Sequence, residues 1–224
     1  MPKRKPFLET GQTYHVFNKA ISLQPAFISQ VDYQRAKSCL LYYRGADLPT
    51  KYSFFIGYSR EHQLEVLEKI KKKGSFIVQV LAYCLMPNHF HLLLRQSLEN
   101  GISKYISDFT NSYTRYFNTK RKREGPLFKG RFKAVMIETE EELLHVSRYI
   151  HLNPYSSHLV RDFEELISYP NSSFPEYIGK DNLGAFCDKD LVLSCFKNRN
   201  QYKEFVSEQA DYQRALNEAG HELF

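Results

Sequence analysis

Two histidines separated by a single residue are the clearest chemical signal in this sequence. His89 and His91 flank Phe90 in an apolar run that predicts a β-strand. Side chains at positions i and i+2 of a strand lie on the same face, so the two imidazoles project together and Phe90 points the other way. Two neighbouring neutral imidazoles are suited to bind a metal ion. The pattern by itself is also typical of two half-exposed strand histidines, so a second signal is needed.

A tyrosine and an amide lie four residues apart on a predicted helix. The apolar spacing after residue 138 is helical, and Thr139 with Glu142 fits a capping box at its start. Tyr149 and Asn153 are at positions i and i+4, one above the other on a helix face, and His145 extends this polar stripe one turn upstream. The opposite face can pack on a sheet through Leu143, Val146 and Ile150. If Tyr149 takes no part in chemistry, we expect a structural tyrosine that is buried between helix and sheet, with its hydroxyl group hydrogen-bonded.

Positive charge is concentrated in the part of the chain that follows the histidine strand. The formal net charge is +6, although residues 181–224 contain more acidic than basic side chains. A cluster of cations suits a polyanion, because neutralising phosphates releases condensed counterions. A solvated surface role is the alternative for any single cation. The candidates for phosphate contacts are Arg115, Arg121, Arg123, Lys129, Arg131 and Lys133.

The composition disfavours membrane and secreted proteins. No apolar run approaches the ~18 residues that a membrane span requires, and the basic start MPKRKPFLETG lacks the apolar stretch of a secretory signal. The cysteines form no CxxC pair, which predicts reduced thiols rather than a disulfide or zinc framework. They are Cys39, Cys84, Cys187 and Cys195. We therefore expect a cytoplasmic protein, associated with the nucleoid if its polyanion is DNA.

The order of predicted elements is β-α-β-β-α-β followed by a further helix that carries Tyr149. We expect strands at 12–17, 75–85, 89–95 and 132–138, and helices at 31–43, 61–73, 99–118 and 139–152. This order is the ferredoxin-like α+β arrangement, an antiparallel sheet with helices on one face. We place an irregular connection at 44–60, with a short strand at Ser53–Ile56, and Pro154 just past the end of the last helix.

The chain divides by character near residue 160. Residues 1–160 contain all of these elements and predict one domain. Residues 161–224 predict a C-terminal helical extension, helical from Leu191 through Leu216, for which DNA binding is one expected role.

Four ordered motifs resemble those of a known family. They are Tyr83-Cys-Leu-Met-Pro-Asn-His-Phe-His-Leu-Leu-Leu94, Tyr113-Thr-Arg-Tyr-Phe-Asn118, Gly125-Pro-Leu-Phe-Lys-Gly-Arg-Phe132 and Ser147-Arg-Tyr-Ile-His-Leu-Asn-Pro154. Together they resemble the single-tyrosine HUH transposases with an IS200-like domain, specifically the REP-associated tyrosine transposases. The resemblance extends from about Thr13 to Val160. Several motifs in order are far more specific than the histidine pair alone.

The resemblance implies a reaction and the residues that perform it. Tyr149 would be the nucleophile, and His89, His91 and Asn153 would bind Mg²⁺ or Mn²⁺, Asn153 standing where relatives have a glutamine. The expected activity is cleavage and joining of single-stranded, hairpin-containing DNA through a 5′-phosphotyrosine. His145 or a bound water would assist proton loss from Tyr149. Homodimers and monomers both occur among the relatives, so either is compatible with this chain.

Two other functions are compatible with the same residues. One is a domesticated protein that binds hairpin DNA without cutting it. The other is a metal hydrolase that uses water as its nucleophile and forms no covalent intermediate.

Overall fold

The histidine strand lies inside a four-stranded antiparallel sheet. The computed structural model describes residues 8–180 and 186–220; the basic residues 1–7, for which we predict no secretory signal, lie outside this range. The strands are β1 (Thr13–Lys19), β2 (Val78–Met86), β3 (His89–Gln96) and β4 (Lys133–Ile137). Their order is β2-β3-β1-β4 and each neighbouring pair is antiparallel. This confirms the predicted ferredoxin-like sheet.

Helices lie between and after the strands. They are α1 (Gln30–Tyr43), α2 (Tyr52–Phe55), α3 (Arg60–Lys73), α4 (Gly101–Arg121), α5 (Glu140–Ser156), α6 (Phe163–Ile167), α7 (Phe174–Tyr177), α8 (Asp190–Leu193), α9 (Arg199–Ser207) and α10 (Ala210–Glu218). A 3₁₀ turn, Ile21–Leu23, follows β1. None of the helices within the described ranges is long and apolar enough to cross a membrane.

The two faces of the sheet carry different helices. Phe90 points to one face, where its ring contacts Phe109 of α4 with centroids 5.4 Å apart. His91 points to the other face, where its ring contacts Tyr149 of α5. Because adjacent strand residues alternate between faces, α4 and α5 lie on opposite sides of the sheet. Helix α1 packs beside α4, and Tyr105 donates a hydrogen bond to the carbonyl oxygen of Leu40 at 3.0 Å.

The segment expected to be a short strand at Ser53–Ile56 is helical, so that prediction is wrong. Helix α2 spans Tyr52–Phe55, and its first turn closes on the carbonyl of Lys51. Tyr52 and Phe55 are three residues apart and both pack on the ring of Tyr42, with centroids 5.5 and 4.5 Å away. The i, i+3 spacing of these aromatic side chains therefore favours a helical turn against α1.

The end of α5 also differs from the prediction, because Pro154 lies inside the helix and not beyond it. A proline lacks the N–H that would bond to the preceding turn, which normally ends a helix. Here side chains of α10 stabilise the last carbonyls: Arg214 Nε donates to the carbonyl of Tyr155 and Asn217 Nδ2 to that of Ser156, at 3.1 and 2.8 Å. Tertiary contacts thus extend the helix to Ser156.

The C-terminal region packs against the rest of the chain. Segment 171–173 runs along the outer edge of β2, where the Leu85 amide donates to Asn171 and the Ser173 amide to Tyr83, at 2.8 and 2.9 Å. The region predicted to be helical from Leu191 through Leu216 contains three helices, α8, α9 and α10, which are separated by short turns. The four cysteines are free, as predicted.

Candidate active site

Strand register brings three histidines onto one face of the sheet. His89 and His91 lie on β3, and their ring centroids are 5.0 Å apart. His15 lies on the neighbouring strand β1, where the cross-strand partner of His91 is Phe17. The ring of His15 stacks on that of His91 with centroids 5.1 Å apart. The predicted histidine pair is therefore part of a group of three imidazoles.

Tyr149 faces this group from α5. Its ring meets His91 edge-on at a centroid distance of 5.5 Å and His15 at 5.8 Å. The structure thus brings together the two residues, Tyr149 and His91, that the motifs single out from distant parts of the sequence. A phenol and two imidazoles converge where β1, β3 and α5 meet.

The start of helix α5 is capped by Thr139 and Glu142, but it differs from the predicted capping box because the Glu142 side chain bonds to the amide of Glu138 and not to that of the cap residue Thr139. Thr139 Oγ1 accepts a hydrogen bond from the Glu142 amide at 3.1 Å, and a Glu142 carboxylate oxygen accepts one from the Glu138 amide at 2.8 Å. The buried side chains of the opposite stripe pack toward the sheet; they are Leu143, Val146 and Ile150. The hydrogen bonds at the start of α5 and the apolar side chains that pack toward the sheet together set the rotation of the helix. They therefore set the direction of Tyr149.

Burial keeps the imidazoles of His15 and His91 uncharged. Burial is the largest cause that holds the pKa of His91 well below its ordinary value of 6.5, and the neighbouring His15, His89 and Lys19 lower it further. Burial also lowers the pKa of His15 to about 3. At physiological pH these rings therefore carry lone pairs rather than charges, which is the state in which an imidazole binds a metal ion.

The donor set fits a divalent ion held by two imidazoles and further oxygen ligands. Within the described ranges, no group of three or more His, Cys, Asp or Glu side chains is arranged to hold a metal ion. His89 and His91 would supply two nitrogen ligands, and the third predicted ligand, Asn153, is buried on α5. Asn153 Nδ2 donates to the backbone carbonyl of Tyr149 at 3.2 Å, so its carbonyl oxygen is the atom with ligand chemistry.

His145 lies on the exposed side of α5. Its ring is over half exposed, 3.9 Å from the carboxylate of Glu141 and beside the ring of Phe205. The i−4 spacing from Tyr149 placed it on the same stripe, but the contacts of its side chain in the described structure are with these two residues. The structure does not bring it to the histidine group.

The six predicted phosphate-binding cations are divided between different surfaces. Arg121 pairs with the buried Asp32 at 2.9 Å, and Arg123 donates to Asn118 and to the carbonyl of Pro126. Arg115 lines a basic groove of about 1470 Å³ beside α4, on the sheet face away from Tyr149.

The other three cations lie at or near the end of β1. Lys129 and Arg131 line a cavity of about 470 Å³ between α4 and the 126–132 segment. Lys133 lies opposite Phe17 on β4, and its Nζ is 5.6 Å from the Phe17 ring. Because Phe17 shares the face of His91, Lys133 lies on the histidine face.

A further buried histidine, His151, lies on α5 itself. The ring nitrogens of His151 lie 2.7 Å from the Tyr202 hydroxyl and 2.7 Å from Ser173 Oγ. The Tyr202 hydroxyl is also 3.1 Å from Ser147 Oγ. Burial lowers the pKa of His151 to about 3. This network ties α5 to α9 and to the strand-edge segment, two residues from Tyr149.

The segment that contains this site matches the model of a known protein family. Residues 48–153, which include His89, His91 and Tyr149, match the family model described as transposase IS200-like. The resemblance to the IS200-like transposases is confirmed. The matching segment is slightly less than half of the 224-residue chain and ends at Asn153.

A solved structure is similar to the chain over most of its length. It is described as a REP-associated tyrosine transposase bound to a REP hairpin, and the TM-score is 0.53. The similarity covers 84% of this chain and 94% of that chain at 14% sequence identity, which shows a shared fold. No curated protein matches.

Neither His15 nor His151 is among the site residues predicted from the sequence. His15 lies before the IS200-like segment, in a strand whose pairing with β3 no local pattern reveals. The alternation in QTYHVF would place His15 and Phe17 on one face, but not against His91. His151 is part of the Ser147–Pro154 motif, but spacing alone does not show whether its side chain belongs to a buried hydrogen-bond network or takes part in function.

Proposed function

We propose that this protein is a metal-dependent endonuclease and strand transferase for single-stranded DNA, with Tyr149 as its nucleophile. The observation that carries the proposal is the convergence of Tyr149 with His91 and His15 on one face of the sheet. A buried structural tyrosine would not require two same-face histidines beside it. The IS200-like match over the same residues supports a transposase-type reaction.

The proposed ion is Mg²⁺ or Mn²⁺, held by His89 and His91 with Asn153 as a further ligand. The resemblance to IS200-like transposases, which are generally metal-dependent, supports this ion. When bound, it supplies Lewis-acid stabilisation of the charge that develops on the phosphate oxygens. The imidazole of His91, which is neutral because its pKa is low, can bind the ion without losing a proton.

Tyr149 attacks the scissile phosphate along the line of the breaking bond. A bond forms between the phenolic oxygen and phosphorus, and the bond from phosphorus to the 3′ oxygen breaks, which gives a 5′-phosphotyrosine and a 3′-hydroxyl. The phenolic proton must leave at or before attack, because a neutral phenol is a weak nucleophile. Since His145 lies beside Glu141 and away from the site, we assign this proton transfer, and the protonation of the 3′ oxygen, to water. The covalent link conserves the bond energy, so the reverse reaction joins strands without a nucleotide cofactor.

The proposed substrate is DNA that contains a hairpin and a flanking single strand. The structurally similar protein is bound to a hairpin, which supports this class of substrate. Lys133 would bind phosphate on the histidine face, and Lys129, Arg131 and Arg115 would bind it on other surfaces. Arg121 and Arg123 would act indirectly. Arg121 holds the start of α1 through Asp32, and Arg123 holds the loop at Pro126. A nucleoid-associated location follows from such a substrate.

We further propose that residues 1–160 form the nuclease domain and that 161–224 support it. The extension contacts α5 through Tyr202, Gln213 and Arg214, and its acidic composition makes a main role in DNA binding less suited to it than support of the tyrosine helix.

The test uses the full chain, Mn²⁺ and a labelled single-stranded oligonucleotide containing a hairpin. The wild type is expected to give a protein–DNA band that survives denaturing electrophoresis, and Tyr149→Phe to give none. Tyr155→Phe is the matched control, because it removes a tyrosine hydroxyl from the same helix, one that bonds to Asp211 at 2.7 Å. Cleavage that persists in Tyr149→Phe without a covalent band would indicate a hydrolase that uses water. Binding without any adduct would indicate a protein that binds DNA and does not cut it.

A further inference from the structure

One ring nitrogen of each ligand histidine is occupied by a neighbouring side chain. Nδ1 of His89 lies 2.6 Å from Oδ1 of Asn88, the residue that precedes it in the turn between β2 and β3. Nδ1 of His91 lies 2.9 Å from Nε2 of His15 on β1. In both rings the nitrogen that makes this contact is Nδ1.

The contact between Asn88 and His89 fixes a tautomer. An amide oxygen can only accept a hydrogen bond, so Nδ1 of His89 must carry the proton. In a neutral imidazole the other nitrogen, Nε2, then carries the lone pair that a metal ion requires.

The contact between His15 and His91 has two possible directions, and only one is compatible with metal binding. If His15 donated its Nε2 proton, Nε2 of His91 would carry a proton and could not be a ligand. If His91 donates from Nδ1, its Nε2 carries the lone pair and His15 is the acceptor.

Both supporting residues are held in place by the fold. His15 is fully buried and its ring packs against the rings of Phe17 and His91, with centroids 4.9 and 5.1 Å away. The backbone carbonyl of Asn88 accepts a hydrogen bond from the Ala20 amide at 2.7 Å, and its Nδ2 donates to the carbonyl of Leu23 at 3.4 Å. Strand β1 and the turn that follows it therefore position both histidines of β3.

We propose that Asn88 and His15 are positioning residues that hold His89 and His91 in the Nδ1-protonated tautomer and direct both Nε2 atoms to one divalent ion. This inference rests on the proposed function and adds to it the residues that orient the ligands. Hydrogen-bonding partners of ligand histidines contribute about 10–100-fold to metal affinity. Because His15 lies outside the IS200-like segment, the metal site depends on the first strand as well as on the motif strand.

The first test measures the dissociation constant for Mn²⁺ of the full chain by electron paramagnetic resonance of the free ion. Asn88→Ala removes the acceptor for His89 and is expected to weaken Mn²⁺ binding by about 10–100-fold. Asn88→Asp keeps an acceptor oxygen but loses the contact to Leu23, so it is expected to retain binding close to the wild type. Equal affinities in the wild type and Asn88→Ala would overturn the assignment of Asn88.

His15 is tested with two substitutions and a control on the same strand. His15→Phe keeps a ring against Phe17 but removes the acceptor, and we expect Mn²⁺ affinity to fall by about 10–100-fold. His15→Gln offers an amide oxygen in place of the imidazole nitrogen and is expected to restore most of the affinity. Thr13→Val lies two residues away on the same face and is expected to bind Mn²⁺ like the wild type. Unchanged affinity in a folded His15→Phe protein would overturn the assignment of His15.

A second measurement, of the histidine tautomers, does not depend on the ion. It tests the role of His15 even if His15→Phe fails to fold. Long-range ¹H–¹⁵N spectra of the metal-free wild type are expected to show protonated Nδ1 and unprotonated Nε2 for both ligand histidines. A protonated Nε2 on His91 would reverse the direction of its bond with His15 and refute the inference. In Asn88→Ala the His89 tautomer is expected to become mixed, a change that general loss of packing would not produce at this ring alone.

The inference and the proposed function fail in different ways. A wild type that neither binds Mn²⁺ nor forms the DNA adduct contradicts the proposed function. A wild type that does both, with Asn88→Ala and His15→Phe binding Mn²⁺ equally well, contradicts only the positioning roles.

Discussion

Protonation of His151 is expected to destabilise the folded protein as the pH falls from 8 to 5. This imidazole is fully buried on α5 between the Tyr202 hydroxyl and Ser173 Oγ, each 2.7 Å away. Burial lowers its pKa in the folded state to about 3. In the unfolded chain the ring is solvated and takes up a proton near its ordinary pKa of 6.5.

The sign and size of the effect follow from the difference in bound protons. Below pH 6.5 the unfolded state binds a proton that the folded state does not, so acid favours unfolding. The contribution of His151 to the free energy of unfolding is fully present above pH 6.5 and is lost progressively as the pH falls toward 3. At pH 5 the unfolded ring is about 1.5 pH units below its midpoint, which corresponds to a loss of about 2 kcal/mol.

The assay is urea unfolding of the metal-free protein at pH 8, 6.5 and 5, with the free energy of unfolding obtained by linear extrapolation. His151→Gln is expected to lose about 2 kcal/mol less than the wild type between pH 8 and pH 5. The buried His15 and His91 are present in both proteins and cancel in this comparison. His158→Gln, at an exposed position near the end of α5, controls for loss of a histidine outside the core. Equal losses in the wild type and His151→Gln would show that His151 is not held neutral by burial.

The remaining predictions concern the same helix. Tyr202→Phe is expected to lower the free energy of unfolding at pH 8 by about 1–3 kcal/mol, because a buried ring nitrogen of His151 loses its partner; urea unfolding measures this, and an unchanged value would contradict the network. Because Tyr149 faces His91 within one chain, a mixture of Tyr149→Phe and His91→Ala proteins is expected to form no more DNA adduct on denaturing gels than either variant alone. Restored adduct in the mixture would show instead that two chains exchange their tyrosine helices.

The order of the elements could be predicted because it depends on local signals. The periodic apolar positions of α4 and α5, the capping residues Thr139 and Glu142, and the turn at Pro87–Asn88 each act within a few residues. The errors arose where a distant contact decides the local structure. Tyr52 and Phe55 are helical because α1 offers the ring of Tyr42, and α5 continues past Pro154 because α10 bonds to its last carbonyls.

In the candidate site, too, some features follow from local spacing and others depend on distant contacts. The sequence by itself determined that His89 and His91 share a face and that Tyr149 and Asn153 share another, since the i, i+2 and i, i+4 spacings are fixed by backbone geometry. Only the tertiary structure decided that these two faces meet, that His15 joins them, and that His145 does not. The reason is physical: the pairing of β1 with β3 and the packing of α5 on the sheet join residues far apart in the chain, and no local spacing specifies the register or the rotation that brings them into contact.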